Sequence, residues 1–214
     1  MHEKARITLL SVVCVVAVGL GFGIPAAKGT MFQLPAELQA GSDTAVQDPI
    51  SGKKVVTDKH DNVAKKRGET AGLVDEHDGK TYFTFEVLSA KTVSSCTPRV
   101  GVGMLKPENG YFLVVDVKAS MAASISQQVG GSSVDIFMPV IAEAFSVLSP
   151  TGKIQREVAS AAAFGCLTEK ELAPPLISPG EKLRGKVVLD VPFDDGRVVF
   201  DPEENGGWSW PLGE

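Results

Sequence analysis

Leu183 to Val191 carries the alternation of an extended strand. Leu183, Gly185, Val187, Leu189 and Val191 fall on one face of an extended chain, and Arg184, Lys186 and Asp190 fall on the other. That period of two belongs to a half-buried antiparallel strand. Pro179-Gly180 supplies a turn before it, and Pro192 ends its pairing. Tyr111 to Ala119 repeats the pattern, with Leu113, Val115, Val117 and Ala119 opposite Phe112, Asp116 and Lys118. Two strands of this kind each carry an apolar face that must be covered by a second layer.

The rest of the chain supplies more strands of the same sort. Glu69 to Val74 reads as a first strand, and Asp78-Gly79 as a turn. Thr81 to Leu88 places Phe83, Phe85 and Val87 opposite Tyr82, Thr84 and Glu86. Phe137 to Leu148 is ambiguous between helix and strand. Its end, Ala144 to Leu148, reads as a hairpin arm before Ser149-Pro150-Thr151-Gly152, with Ile154 to Val158 returning. Leu167 to Leu172 suits one helical turn, and Arg197 to Phe200 a last strand. Short strands between regular turn signals predict an all-β fold, an antiparallel β-sandwich.

The first residues bear on compartment. Lys4 and Arg6 precede an uncharged apolar run from Ile7 to Leu20, followed by Gly21, Gly23, Pro25 and small residues. Residues 1–29 therefore read as an export signal peptide or an uncleaved membrane anchor. Ala27-Lys28-Gly29 is the cleavage candidate, and the apolar run extended to Ala27 reaches the span of about 20 residues that crosses a bilayer. Either way Lys4 and Arg6 hold the N-terminus inside and place the residues after Thr30 outside the cytoplasm. Cys14 comes directly after Val13 within the apolar run, where a lipoprotein signal wants a small residue.

Residues 30–66 hold few large apolar side chains and read as a flexible linker, with at most a helical turn at Leu34 to Leu38. Residues 67–203 make the sandwich, and 204–214 a tail containing Trp208 and Trp210. The net charge of −5 offers no electrostatic footing for nucleic acid.

Several stretches together resemble a known family. They are Gly110 to Lys118, Phe145 to Lys153, Ser178 to Pro192, and Val198 to Asp201. In this order and spacing they are similar to a bacterial extracytoplasmic domain of unknown function. That domain has an immunoglobulin-like, telokin-like sandwich related in fold to a secreted mycobacterial immunoprotective protein. The resemblance covers most of Arg67 to Pro202. It departs after the central strand, where the family has Asn and this chain has Ser120-Met121. It implies an immunoglobulin-like β-sandwich in a non-catalytic envelope protein.

Few residues suggest chemistry. Cys96 and Cys166 are the cysteines left after export, and an even pair in an oxidising compartment reads as a disulfide. The rival readings are a reactive thiol, which lacks a base in the sequence, and a metal site. His77 lies among Asp75, Glu76, Asp78 and Gly79, and histidine flanked by carboxylates can hold a transition metal. The same residues also suit a solvated turn between strands. His60, in Asp58-Lys59-His60-Asp61, has similar neighbours. No nucleophile motif accompanies either histidine. Asp194-Asp195 and Glu203-Glu204 read as exposed turns, and no cofactor is implied.

Trp208 and Trp210 lie two apart, so an extended chain points both to one face. They either pack on the sandwich or form an exposed aromatic pair for binding a carbohydrate, peptide or partner. The expected function is a non-enzymatic module, secreted or membrane-anchored in the cell envelope, that mediates protein or cell-wall interactions. The alternative is an extracytoplasmic carrier of a small ligand or metal, working through His77, Asp75 and Asp78.

Overall fold

The computed structural model describes residues 45–75, 78–128 and 135–213. Its strands are β1 (Ala45–Gln47), β2 (Lys54–Val56), β3 (Val63–Ala64), β4 (Ala71–Val74), β5 (Thr81–Val93), β6 (Tyr111–Met121), β7 (Met138–Pro139), β8 (Phe145–Leu148), β9 (Ile154–Gln155), β10 (Leu176–Ile177), β11 (Lys182–Val191), β12 (Arg197–Phe200) and β13 (Trp208–Pro211). A four-stranded antiparallel sheet has the order β11-β6-β5-β4. A five-stranded sheet has the order β3-β13-β12-β8-β9, antiparallel except for the parallel β13–β3 pair. The two sheets face each other as a β-sandwich.

The alternating residues build the interior. Phe85 of β5 stacks on Phe200 of β12 with ring centroids 4.0 Å apart, joining the two sheets. Phe145 and Trp210 pack around the same rings. Leu113, Val115, Val117, Leu189 and Val191 complete one wall, while Val147 and Val198 belong to the other. Burying each such side chain contributes about 1.5–3 kcal/mol. β6 and β11 pair without a break from Lys182↔Ser120 to Val191↔Tyr111, matching the two alternating stretches in the sequence.

β5 runs past Leu88, where its alternation ends. The register shifts between Val87 and Ser89, a bulge that moves the inward position from odd to even residues. Phe83, Phe85 and Val87 point inward before it, and Ala90 after it. The free edge of β11 is covered by residues 171–173. Lys186 N donates to Glu171 O, and Ala173 N to Lys186 O. Gly185 permits this approach, since a Cβ there would lie 2.4 Å from Ala173 N. Covering an edge in this way blocks sheet-to-sheet pairing with other chains.

The linker assignment is corrected over residues 45–66. Residues 1–44, with the signal or anchor segment and the Leu34 to Leu38 turn, lie outside the described residues. From Ala45 onward the chain is ordered by polar groups rather than by a greasy stripe. β1 and β2 form a hairpin, and β3 lies parallel to β13. Lys65 Nζ lies 2.6 Å from Asp48 Oδ2, with both side chains almost wholly buried, and also donates to Thr70 O at 2.8 Å. Arg197 Nη2 donates to Lys65 O at 2.9 Å and to Ser209 O at 2.6 Å. Gly207 N donates to Asn62 Oδ1 at 3.1 Å. The tail likewise supplies β13, a strand inside the five-stranded sheet. Among the described residues no helix is long and apolar enough to cross a membrane.

Candidate functional site

Cys96 and Cys166 form a disulfide, joining positions 70 residues apart with an S–S length of 2.03 Å. It lies over the outer side of β6 and β11. Phe112 and Val188, which face away from the main interior, pack there with both cysteines and Ala163 in a second apolar cluster. A half-buried sheet would leave that side wet. Here two loops cover it, residues 94–110 and 159–173.

Asp190 holds the underside of this cover. Although it alternates onto the outer face, it is fully buried. Its carboxylate accepts hydrogen bonds from Glu108 N at 2.8 Å, Asn109 N at 2.9 Å and Ser160 Oγ at 2.7 Å. Ser160 Oγ in turn accepts from Ala163 N at 3.0 Å, capping the short helix Ala161–Phe164. A buried carboxylate requires such donors to offset its lost hydration.

Beyond the disulfide the cover ends in an apolar tip. Cys96 and Leu105 exchange backbone hydrogen bonds at 3.1 and 2.9 Å, closing the loop between them. Arg99 N donates to Gly165 O, and Leu167 N to Thr97 O, tying this loop to the short helix. The Arg99 guanidinium lies 4.5 Å from the centre of the Phe164 ring. Gly101 and Gly103 turn the tip with φ of 99° and 98°. Val100 is 87% exposed, Val102 100%, Met104 60% and Phe164 74%. The apolar residues thus face solvent on a backbone held by a covalent bond and hydrogen bonds. The sequence signal is Val100-Gly101-Val102-Gly103-Met104 itself, a loop with no polar side chain, which looks like a mere interruption when only strands are sought.

The other candidate residues fall elsewhere. Trp210 is fully buried against Phe85, with Nε1 directed at Glu69 O, 3.4 Å away. Trp208 is half-buried and stacks over Phe200. The two rings belong to the packing of the sandwich, which corrects the reading of an exposed aromatic pair.

His77 lies outside the described residues. Asp75 and Asp78 serve the turn before β5. Asp75 Oδ1 accepts from Asp78 N at 3.0 Å, and Asp78 Oδ2 pairs with Lys80 Nζ at 2.6 Å. That hydrogen bond, with the attraction of Asp78, pushes the Lys80 ammonium above its ordinary pKa. Burial, followed by the nearby Asp75 charge, pushes the Tyr82 phenol up as well. His60 Nε2 lies 3.3 Å from Gly152 O, at the turn joining β8 and β9. No three of His, Cys, Asp and Glu converge as a metal site among the described residues.

No family model and no curated protein matches the chain. Among solved structures, the chain is similar to a secreted protein from Mycobacterium tuberculosis, MPT63. The two share 15% identity at a TM-score of 0.45, over 70% of this chain and 97% of that one.

Proposed function

We propose that the chain is a non-enzymatic extracytoplasmic module that docks a protein partner through the apolar tip at Val100, Val102, Met104 and Phe164. The observation that carries this reading is the exposure of three apolar side chains on a clamped loop and of Phe164 on the short helix tied to it. An apolar loop kept wet costs solubility and contributes nothing to the interior, whereas a held one loses little entropy when it docks. Arg99, Met104 and Phe164 are of the residue types enriched at protein interfaces. The charged start and the apolar run Ile7 to Leu20 support export, and the disulfide suits an oxidising compartment.

The test compares the exported protein with a variant carrying Val100→Ser, Val102→Ser and Met104→Ser. Both are added to envelope fractions of the source cells, and bound protein is measured. The expected result is a loss of retention by about tenfold or more with unchanged melting, since each buried aliphatic side chain contributes about 1.5–3 kcal/mol. Equal retention of the two proteins contradicts the proposal.

A further inference from the structure

The methionines among the described residues are Met104, Met121 and Met138. They differ in access to solvent. Met121 ends β6, belongs to the interior and is 4% exposed. Met138 on β7 is half-buried and packs against the same interior. Met104 on the apolar tip is 60% exposed.

The loop keeps Met104 in that position. Leu105, next in the chain, is tied to Cys96 by backbone hydrogen bonds in both directions. Gly101 and Gly103 lie in open space, with nothing packed within 4 Å of the point where a Cβ would stand. The other sulfurs are closed to oxidants. Cys96 and Cys166 are already joined as a disulfide and are 5% and 0% exposed. Among the described residues no free thiol therefore competes with Met104.

A thioether is a two-electron reductant. The Met104 sulfur attacks one oxygen of a hydroperoxide, so an S–O bond forms as the O–O bond breaks. The departing oxygen takes up the proton of the transferred hydroxyl and leaves as water or an alcohol. The sulfur is oxidised by two electrons, and the peroxide is reduced by two. The sulfoxide is polar where the thioether was apolar.

We propose that Met104 is an oxidation site at which a hydroperoxide switches off docking by the apolar tip. The inference rests on the docking role of the tip. A sulfoxide oxygen pressed against an apolar partner surface loses its hydration, which opposes docking. The coupling is reciprocal, so a docked partner shields Met104 from the oxidant. Methionine sulfoxide reductases restore the thioether, with the oxygen leaving as water while a dithiol becomes a disulfide.

The test uses the exported, disulfide-bonded protein without substitutions. Hydrogen peroxide is added, and peptide mass spectrometry follows the gain of one oxygen at each methionine. Met104 is expected to oxidise about tenfold or more faster than Met121, since susceptibility follows exposure. The partly oxidised sample is then added to envelope fractions of the source cells, and bound and unbound protein are separated. Met104 sulfoxide is expected to be enriched about tenfold in the unbound protein, because the polar oxygen opposes burial. Met121 and Met138 sulfoxides should divide equally between the two fractions, as they would not if oxidation acted by unfolding the domain. Peroxide added after docking should oxidise Met104 more slowly than peroxide added before it.

The inference is overturned if Met121 or Met138 oxidises as fast as Met104. It is also overturned if Met104 sulfoxide divides equally between bound and unbound protein, if the Met121 or Met138 sulfoxide is enriched alongside it, or if docking leaves the Met104 rate unchanged. Failure of the docking role itself gives a different result. Unoxidised protein is then absent from the bound fraction, and the switch falls with the docking role whatever the order of oxidation.

Discussion

Asp190 accepts a hydrogen bond from the Ser160 hydroxyl at 2.7 Å across a separation of 30 residues. The bond connects the end of β11, on the outer face of its sheet, to the loops that carry the apolar tip. With Glu108 N and Asn109 N it gives the carboxylate three donors from two loops. Asp190→Ala leaves those donors without their acceptor and is expected to destabilise the domain by about 3 kcal/mol. Ser160→Ala, which also removes a helix cap, is expected to cost about 1–2 kcal/mol. Urea denaturation midpoints of the three proteins check the order.

The disulfide and the second apolar cluster act together. Reducing Cys96–Cys166 is expected to destabilise the domain by about 4 kcal/mol in the chain-entropy account of a long closed loop. Hydrogen exchange should then quicken first in residues 94–110 and 159–173, because their cover over Phe112 and Val188 loses its covalent tie. Melting and exchange measured with and without reductant check this. Uniform exchange across both sheets and loops contradicts it.

Asp48 and Lys65 form a buried ion pair, and its two members respond differently to loss. Burial pushes the Asp48 carboxyl up, but hydrogen bonds from Lys65 and Ser51 outweigh it and hold the group below its ordinary 3.8. Because the folded value is the lower one, the contribution is complete above about 3.8 and is lost as pH falls through the folded value. Asp48→Ala strands a buried ammonium and is expected to cost about 3–5 kcal/mol at neutral pH. Replacing both residues, Asp48→Leu with Lys65→Met, should recover much of that loss. Denaturation midpoints measured from pH 2 to pH 7 test the slope, which should flatten between pH 2 and pH 4 in the double variant.

Trp210 belongs to the interior and Trp208 to its margin. Trp210→Ala is expected to destabilise by about 3–5 kcal/mol, as for other large core truncations. Trp208→Ala should cost less, since its ring is half-buried over Phe200. Truncation after Asn205 removes β13 and exposes the β12 edge, so the remaining chain is expected to lose cooperative melting. Fluorescence obeys the same division. Emission from the Trp208→Phe protein, which retains Trp210, should be bluer than emission from Trp210→Phe.

The strands legible in the sequence are those whose alternation reports a single apolar layer. β11 and β12 occupy the residues expected of them, and β6 runs only to Met121, just past Ala119. Burial on both faces hides the rest. Asp190 looks like a solvated residue because its pattern assumes one wet face, and the disulfide-held loops cover that face. Residues 45–66 look like a linker because their order rests on Asp48, Asn62 and Lys65, side chains that elsewhere signal solvent. The bulge after Val87 breaks a pattern that the backbone continues. The apolar tip is present in the sequence as Val100-Gly101-Val102-Gly103-Met104, but its exposure depends on contacts with Phe164 and Gly165 made far along the chain.

The docking role of the tip is tested most directly by photo-crosslinking on intact cells, with a photoreactive side chain placed at Val102 and, as a control, at half-exposed Leu73 on β4. A discrete protein adduct from position 102 alone, lost when Val100 and Met104 are changed to Ser, is the predicted result. No adduct from position 102, or the same adducts from both positions, contradicts the account.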